Sequence, residues 1–334
     1  MEVRCHSPFV PQVFKSKDKH GTPHDVFVVK ATYDIVEGRR IKISQEQEPL
    51  TMADDYFGEV NVTSVSRESD LAPFKPRTDL VVVGDAHAPG GRPTASWIAE
   101  VRMGEVRKAI RVTGPRRWRR NLRMFWNLSD PEPVTTVPVR YENAFGGLFR
   151  RDEEKVDAFR QNPVGRGWAP ETPPESEIAA PQVEDALQPI EDFGKEYTPA
   201  GFGFIGRSWT PRLELAGTYD DAWKENQWPL SPLDWDDAHN NGAHPDLQLD
   251  GYLRGGEPFR ASHMSPGGSV EFTVPRWQVD IRIRYRNGVI ETHPTCLDTC
   301  VVDLPSDKVL FTYRLRVPEA APIRVAEVCM REDG

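Results

Sequence analysis

Apolar and polar residues alternate along several short stretches of this chain, a pattern typical of β-strands with one buried face. The cleanest case is the stretch 278–285, where one face carries four large apolar residues: Val279, Ile281, Ile283 and Tyr285. Asn287-Gly288 follows at once, and this dipeptide is the strongest short signal for a tight hairpin turn. The pattern therefore predicts an antiparallel hairpin near residues 278–292, with its arginines on the wet face.

Further stretches rich in β-branched and aromatic residues predict more strands. Turn signals between them favour three other hairpins: 25–36 with 39–44, 94–103 with 105–112, and 299–304 with 309–317. Single strands are predicted at 79–84, 134–141 and 269–274, the first as a continuous apolar run buried on both faces. Short helices are expected only at 53–57 and 152–160.

These elements predict a mainly β protein. We expect two antiparallel, sandwich-like β-rich lobes, residues 1–145 and 246–334, joined by an irregular middle segment, residues 146–245, with few short helices. The middle segment is rich in proline, glycine and tryptophan, and prolines forbid long helices and interrupt sheet ladders. A length of 334 residues is enough for a sizeable core.

The stretch 201–253, which covers the end of the middle segment and the first residues after it, has almost no regular period. It holds four tryptophans: Trp209, Trp223, Trp228 and Trp235. A long ordered loop is uncommon and usually functional. Two interpretations stay open: the indole rings anchor an irregular layer on the core, or part of this layer is the surface on which a partner protein docks.

Gly201, Gly203 and Gly206 spell the glycine pattern of dinucleotide-binding proteins. That pattern needs an apolar strand before it and a helix opening at its third glycine. Here Thr198-Pro199 precedes it and Pro211 follows closely, so we reject a nucleotide site. The glycines are expected to permit tight turns beside large aromatic rings.

Charge and composition exclude further classes. The formal net charge of -9 argues against nucleic acid or an anionic membrane as the main partner. No run approaches the roughly 20 apolar residues of a membrane span, and the first residues lack a signal-peptide pattern, so we expect a cytosolic protein. The four cysteines are expected to be buried or half-buried thiols rather than disulfides or zinc ligands.

One basic cluster stands out at residues 116–123, where five arginines surround Trp118. Basic residues mixed with aromatics can mark single-stranded nucleic-acid binding, but the overall charge disfavours it. An acidic, proline-rich stretch, residues 171–196, offers a counter-surface within the chain. The cluster, including Arg117 and Arg120, therefore faces either a partner or this acidic strap, and the sequence leaves both open.

No template for a nucleophile, a metal site or a phosphate loop is present. The best local group of titratable residues lies between Asp236 and Asp246, with His239 and His244 between them. Carboxylates and imidazoles can bind a metal or run acid–base chemistry, whereas in a loop they usually hydrogen-bond turns. We assign no catalytic, cofactor-binding or metal-binding residue.

Several short phrases, taken together and in this order, carry a resemblance to a known family. They are Gly84–Gly91 (GDAHAPGG), Tyr141–Gly147 (YENAFGG), Asn162–Gly167 (NPVGRG), Gly203–Arg212 (GFIGRSWTPR), Ala216–Asp220 (AGTYD), Ala222-Trp223, Pro229–Pro232 (PLSP), Asp246–Gln248 (DLQ) and Leu253–Glu257 (LRGGE). The chain resembles domain-of-unknown-function family 2169, bacterial proteins found with type VI secretion systems. The resemblance covers about residues 25–317.

The resemblance implies a cytosolic, non-enzymatic adaptor or chaperone. Such a protein binds a toxin effector, commonly one with a PAAR spike-tip domain, and helps load it on the VgrG spike. Aromatic residues and arginines are frequent interface anchors. We therefore name the candidate docking residues as Trp209, Arg212, Trp223 and Trp235, with Arg117 and Arg120 of the basic cluster.

Two rival functions remain. A hydrolase or metal-dependent enzyme using the Asp236–Asp246 cluster predicts that these side chains converge in one pocket, whereas an adaptor predicts that they scatter or cap turns. A structural component of the secreted spike predicts export of the protein with the spike.

Overall fold

The computed structural model describes residues 1–152 and 155–332. Most of its regular structure is strand, and the strands in chain order are β1 Glu2–Cys5, β2 Val10–Lys17, β3 Pro23–Val36, β4 Arg40–Ile43, β5 Asp55–Tyr56, β6 Val65–Arg67, β7 Thr78–Val83, β8 Asp85–His87, β9 Ser96–Met103, β10 Val106–Thr113, β11 Arg117–Arg120, β12 Trp126–Leu128, β13 Thr136–Pro138, β14 Phe145–Gly146, β15 Leu148–Arg150, β16 Val156–Ala158, β17 Arg166–Gly167, β18 Glu177–Ala179, β19 Val183–Asp185, β20 Gln248–Leu249, β21 Pro258–Ser262, β22 Ser269–Thr273, β23 Trp277–Tyr285, β24 Ile290–Pro294, β25 Cys296–Asp303, β26 Lys308–Pro318 and β27 Ile323–Glu332.

Helices are few and short, as predicted. The described residues contain one α-helix, α1 (Asp221–Asn226), and short 3-10 helices at Pro89–Gly91, Tyr141–Asn143, Arg212–Leu215, Asp237–Asn240 and Pro245–Leu247. Their positions differ from the expected ones. Residues 53–57 contain strand β5 rather than a helix, and the described part of 152–160 contains strand β16, while residues 153–154 lie outside the described ranges. Both segments are short enough for pairing with a neighbouring strand to override helix propensity.

The largest sheet has seven strands and joins the two ends of the chain. Its order is β2-β3-β26-β25-β7-β20, and β4 pairs with the far end of β3 in the predicted hairpin. The long strand β3 runs antiparallel to β26, with Lys30 opposite Thr312. Next to them, β25 runs parallel to β7, with Val301 opposite Val81.

The second large sheet combines the same two parts of the chain with one strand of the middle segment, β19, in the order β19-β10-β9-β21-β22. The predicted β9–β10 hairpin is present, and β21 adds to β9 with Ala261 opposite Val101. The β-rich segments 1–145 and 246–334, expected as two lobes, thus contribute strands to the same two sheets and form one joint structure. Apolar alternation marks which face of a strand is buried but not which strand it pairs with.

A four-stranded sheet, β1-β27-β23-β24, contains the predicted 278–292 hairpin. The apolar face of β23 is buried as predicted, and all six residues of β7 are buried. One continuous core draws on these three sheets and on Phe202, Phe204 and Trp209 of the middle segment. No helix in the described ranges is both long and apolar enough to cross a membrane.

Candidate functional site

Two of the predicted docking residues are buried. Trp209 is 6% exposed, and its ring meets Tyr141 edge-on with centroids 5.5 Å apart. Gly206 lies against the indole, because a Cβ there would come within 2.8 Å of it. The nucleotide-type glycine pattern therefore serves close packing and carries no strand or α-helix between residues 201 and 209.

Arg212 is 3% exposed and fully engaged inside the protein. Its guanidinium donates to the carbonyls of Ile205 (2.6 Å) and His239 (2.9 and 3.0 Å), and it pairs with Glu68 at 2.7 Å. Glu68 also binds Arg207 at 3.2 Å. These groups leave a partner little access to Trp209 or Arg212, so both hold the middle segment on the core instead of docking a partner.

Trp223 and Trp235 are half-buried and organise one loop. The Trp223 Nε1–H donates to the carbonyl of Leu230 at 2.9 Å, and its ring lies 4.7 Å from that of Tyr219. The Trp235 Nε1–H donates to Asp237 at 3.1 Å, and its ring lies 4.7 Å from that of His239. Each indole uses its polar atom inside the chain and keeps part of its ring exposed.

We call residues 213–236 the aromatic loop. Its two ends are tied by the Asp236 N–H, which donates to the carbonyl of Leu215 at 3.0 Å. Further in, Asp234 accepts hydrogen bonds from the backbone and hydroxyl of Thr218 at 3.0 and 2.8 Å. Those bonds hold the pKa of Asp234 below its ordinary value. Helix α1 sits inside the loop, and Asp220 caps its first turn.

The aromatic loop is hydrogen-bonded to the turn between β2 and β3. Lys19 Nζ donates to the carbonyl of Trp235 at 2.9 Å. Gln227 Nε2 in turn donates to the carbonyls of Lys19 (2.6 Å) and Ser231 (2.9 Å). A short α-helix has little stability alone, so these tertiary bonds fix the position of the loop.

This fixed loop presents large apolar side chains to solvent. Trp228 is 68% exposed, Leu233 62% and Tyr219 54%. Tryptophan and tyrosine are frequent interface anchors when their rings are accessible to a partner. Nothing in the sequence indicates that Trp228 is exposed while Trp209 is buried, since both occur close to a proline and the stretch lacks a regular period.

A charged cleft of ≈ 590 Å³ opens between the aromatic loop and the β2–β3 turn. The turn contributes Lys17, Lys19 and His20, and the loop contributes Asp234, Trp235 and Asp236. Arg316 of β26 lies in the same cleft, 3.5 Å from Asp237. Both signs of charge are present, so the cleft suits a polar, charged segment of a partner better than an apolar one.

A second cleft, of ≈ 300 Å³, lies where the aromatic loop begins, and we call it the proline groove. Its walls are mostly apolar and uncharged, with Pro199, Pro211, Pro245 and Ile205 among the lining residues. His244 also lines it, and burial together with the Lys108 ammonium lowers the pKa of this imidazole to about 4. The imidazole is therefore neutral near pH 7, and among the described residues that line the groove Glu214 is the only charged one.

The titratable residues between Asp236 and Asp246 do not converge. Asp236 caps the turn at Ala238, and His239 bonds the carbonyl of Arg212 at 2.8 Å. His244 accepts from the backbone of Asp246, whose carboxylate pairs with Lys108 at 2.8 Å. The group divides between the charged cleft and the proline groove, the arrangement expected of turn-capping residues.

The basic cluster forms a hairpin of β11 and β12, residues 116–128, which we call the arginine hairpin. Its β11 pairs with β18 of the acidic strap, so the two predicted counter-surfaces are in contact. Arg117 and Arg119 both bind Glu177, at 3.0 and 2.7 Å, and Arg116 binds Glu184 at 3.0 Å. In the structure the arginine hairpin therefore faces the acidic strap.

Arg120 also has partners within the chain. It donates to the carbonyl of Pro173 at 2.6 Å and lies 5.0 Å from the centre of the Trp126 ring. Trp126 stacks on Phe193 at 4.3 Å, and Trp118 is buried beneath them. The tip of the hairpin, which sequence analysis missed, exposes three apolar side chains: Leu122, Met124 and Phe125.

All four cysteines are free thiols; Cys300 is buried and the others are half-buried, the burial that the sequence predicts. Within residues 1–152 and 155–332, no group of three or more His, Cys, Asp and Glu side chains is arranged to hold a metal ion.

Comparison with known proteins gives one match. The family model described as an uncharacterized protein conserved in bacteria (DUF2169) matches residues 20–314. No curated protein matches the chain. No solved structure matches it either.

Proposed function

Because this chain belongs to the DUF2169 family over residues 20–314, we propose that it is a non-enzymatic adaptor or chaperone of type VI secretion. It binds a toxin effector, commonly one carrying a PAAR domain, and helps to load that effector on the VgrG spike. The adaptor works in the bacterial cytoplasm and stays there after the effector is exported.

The observation that supports this proposal best is the aromatic loop. It exposes Trp228, Tyr219 and Leu233 while many hydrogen bonds hold its backbone in place. A preformed apolar surface binds a partner without the entropy cost of ordering a loop. An adaptor needs such a surface, and its function needs no convergent group of catalytic side chains.

The test is co-expression with the PAAR-bearing or toxin protein encoded beside this gene, followed by size-exclusion chromatography with light scattering. We expect a stable complex, and an effector that is insoluble or depleted when the adaptor is absent. Trp228→Ala should weaken the complex at least tenfold, since truncation of an interface tryptophan often costs 2 kcal/mol or more.

Two results would contradict the proposal. One is separate elution of the two proteins together with normal effector export from a deletion strain. The other is recovery of this protein with the spike in culture medium, which is the result expected of a spike component.

A further inference from the structure

The aromatic loop carries an unbalanced negative charge. Six carboxylates lie between residues 213 and 236, and the only basic residue among them is Lys224. Three of the six cap turns or helices through neutral donors: Asp220, Asp234 and Asp236. The other three are exposed: Glu214, Asp221 and Glu225. Within the described ranges none of the six forms an ion pair.

Neutral hydrogen-bond donors satisfy a carboxylate oxygen but do not cancel its charge. Lys19 and Arg316 lie beside Asp234 and Asp236 in the charged cleft. Glu214, Asp221 and Glu225 have no such basic partner in the described ranges, so these three carboxylates attract cationic segments and repel anionic ones. The same loop exposes aromatic rings, which also bind ammonium and guanidinium groups through their faces. Both properties favour the same class of ligand, a peptide segment rich in lysine or arginine.

The proline groove supplies a place for an apolar side chain next to this charge. Glu214 lies on its wall, and the remaining lining is uncharged, with three prolines and Ile205 beside a neutral His244. Tyr141 also lines the groove, is 3% exposed, and carries a hydroxyl without a hydrogen-bond partner among the described residues. A lysine ammonium or a peptide N–H is the kind of donor that this hydroxyl lacks.

We propose that the proline groove and the carboxylates of the aromatic loop together bind a cationic segment of the partner that carries one large apolar side chain. The apolar side chain enters the groove, and a neighbouring lysine or arginine pairs with Glu214. Further cationic residues lie along Asp221 and Glu225. The inference rests on the proposed function for the identity of the partner, and it specifies the chemistry of the segment.

The main experiment measures the dissociation constant of the effector complex at several salt concentrations. In the loop variant, Glu214→Gln, Asp221→Asn and Glu225→Gln remove three charges with little change in shape. Its matched control removes three exposed carboxylates that also lack ion pairs elsewhere in the described ranges: Glu59→Gln, Glu105→Gln and Asp130→Asn. Both variants have the same net charge, so any difference between their dissociation constants is caused by the position of the three carboxylates in the loop.

We expect the loop variant to bind the effector about tenfold more weakly at low salt, with a flatter salt dependence, because three exposed charge pairs are lost. The control variant should match the wild-type protein within twofold. Gln161→Trp tests the groove separately, since Gln161 lies on its exposed rim and a bulky ring there blocks entry. This variant should also bind at least tenfold more weakly while keeping the salt dependence.

A pair of synthetic peptides tests the inference apart from the effector. One peptide places lysines around a single phenylalanine, and the other has glutamates in the same positions. Tryptophan fluorescence should report binding of the lysine peptide alone, and Gln161→Trp should be compared by calorimetry because it adds a fluorophore.

The outcomes separate the two proposals. If the effector binds and the loop variant equals its control, the charge inference is overturned and the adaptor function stands. If the effector fails to bind the wild-type protein, the adaptor function is wrong, and the peptide pair decides the inference. Binding of neither peptide, or preference for the glutamate peptide, then overturns it.

Discussion

The aromatic loop and the arginine hairpin are similar in composition but differ in whether their charged side chains have partners within the chain. Each combines tryptophans with a run of charge of one sign, and each exposes apolar side chains. The arginines of the hairpin pair with Glu177 and Glu184 of the acidic strap, whereas the carboxylates of the loop have no ion-pair partner in the described ranges. A charge run indicates a docking surface only when the chain does not supply its counter-charges.

The largest expected effect comes from replacing Arg212, the buried residue that holds the start of the aromatic loop on the core. Arg212→Met removes the 2.7 Å partner of buried Glu68, which keeps Arg207 at 3.2 Å, and it leaves two buried carbonyls without their donor. We expect a loss of about 3 kcal/mol in the free energy of unfolding, because a buried pair is broken and two buried acceptors lose hydrogen bonds. Urea unfolding followed by circular dichroism measures it, with the exposed Arg123→Met as control. A change below about 1 kcal/mol would contradict the anchoring role.

The tryptophans provide the next contrast. Trp118 of the hairpin is 2% exposed, and Trp118→Ala should cost about 3 kcal/mol or more of stability through the cavity it leaves. Trp228→Ala in the loop should change stability by less than about 0.5 kcal/mol, since its ring is mostly in solvent. Effector binding should be weakened more by Trp228→Ala than by Trp118→Ala, provided that the Trp118 variant is measured at a temperature at which it is folded. Equal stability losses would remove the distinction between the two regions.

The pH dependence of stability tests the region at the start of the loop. An unfolded chain takes up a proton on histidine near pH 6.5, whereas the folded protein keeps His244 neutral down to about pH 4. The free energy of unfolding therefore falls as the pH is lowered from 6.5 towards 4. His244→Asn keeps an acceptor for Asp246 and removes this contribution. The free energy of unfolding of the wild-type protein, measured relative to that of His244→Asn, should fall by roughly 2 kcal/mol from pH 7.5 to pH 4.5. A relative stability that does not change with pH would contradict this prediction.

The smallest expected effect concerns the exposed ion pairs of the hairpin. Arg117→Gln with Arg119→Gln removes both partners of Glu177 and should cost no more than about 1 kcal/mol, because exposed pairs contribute little. Effector affinity should stay within twofold of wild type. If this variant weakens the effector complex as much as the three loop substitutions do, the hairpin belongs to the docking surface and the comparison fails.

Local pattern carried much of the fold. The buried face of β23, the Asn287-Gly288 turn and the doubly buried β7 follow directly from residue alternation and turn chemistry. Strand partners did not follow, because β3 meets β26 across most of the chain and β9 meets β21 across about half of it. The edge strands β1 and β2 were not predicted, since their exposed and half-buried residues give a weak alternation. The interior strand β27 was not predicted either.

The sequence predicted the stretch that contains the candidate site but not which of its residues are exposed. Composition indicated the stretch that contains the aromatic loop, but it could not separate Trp209, which is buried, from Trp228, which is exposed. Burial there depends on glycines, on prolines and on ion pairs with Glu68, a residue far away in the chain. The pairing of the arginine hairpin with the acidic strap is similarly a tertiary contact that charge counting suggests but does not establish.

The central place of β26 in the seven-stranded sheet has a consequence for biosynthesis. Strand β3 leaves the ribosome early, yet one of its edges stays open until β26 is made, almost three hundred residues later. During that time a long apolar strand with unpaired amides is available to other chains, a hazard for aggregation. Slowing translation therefore lengthens this exposure, so the yield of native protein should depend on elongation rate and on general chaperones more than that of a protein whose sheets form from neighbouring strands.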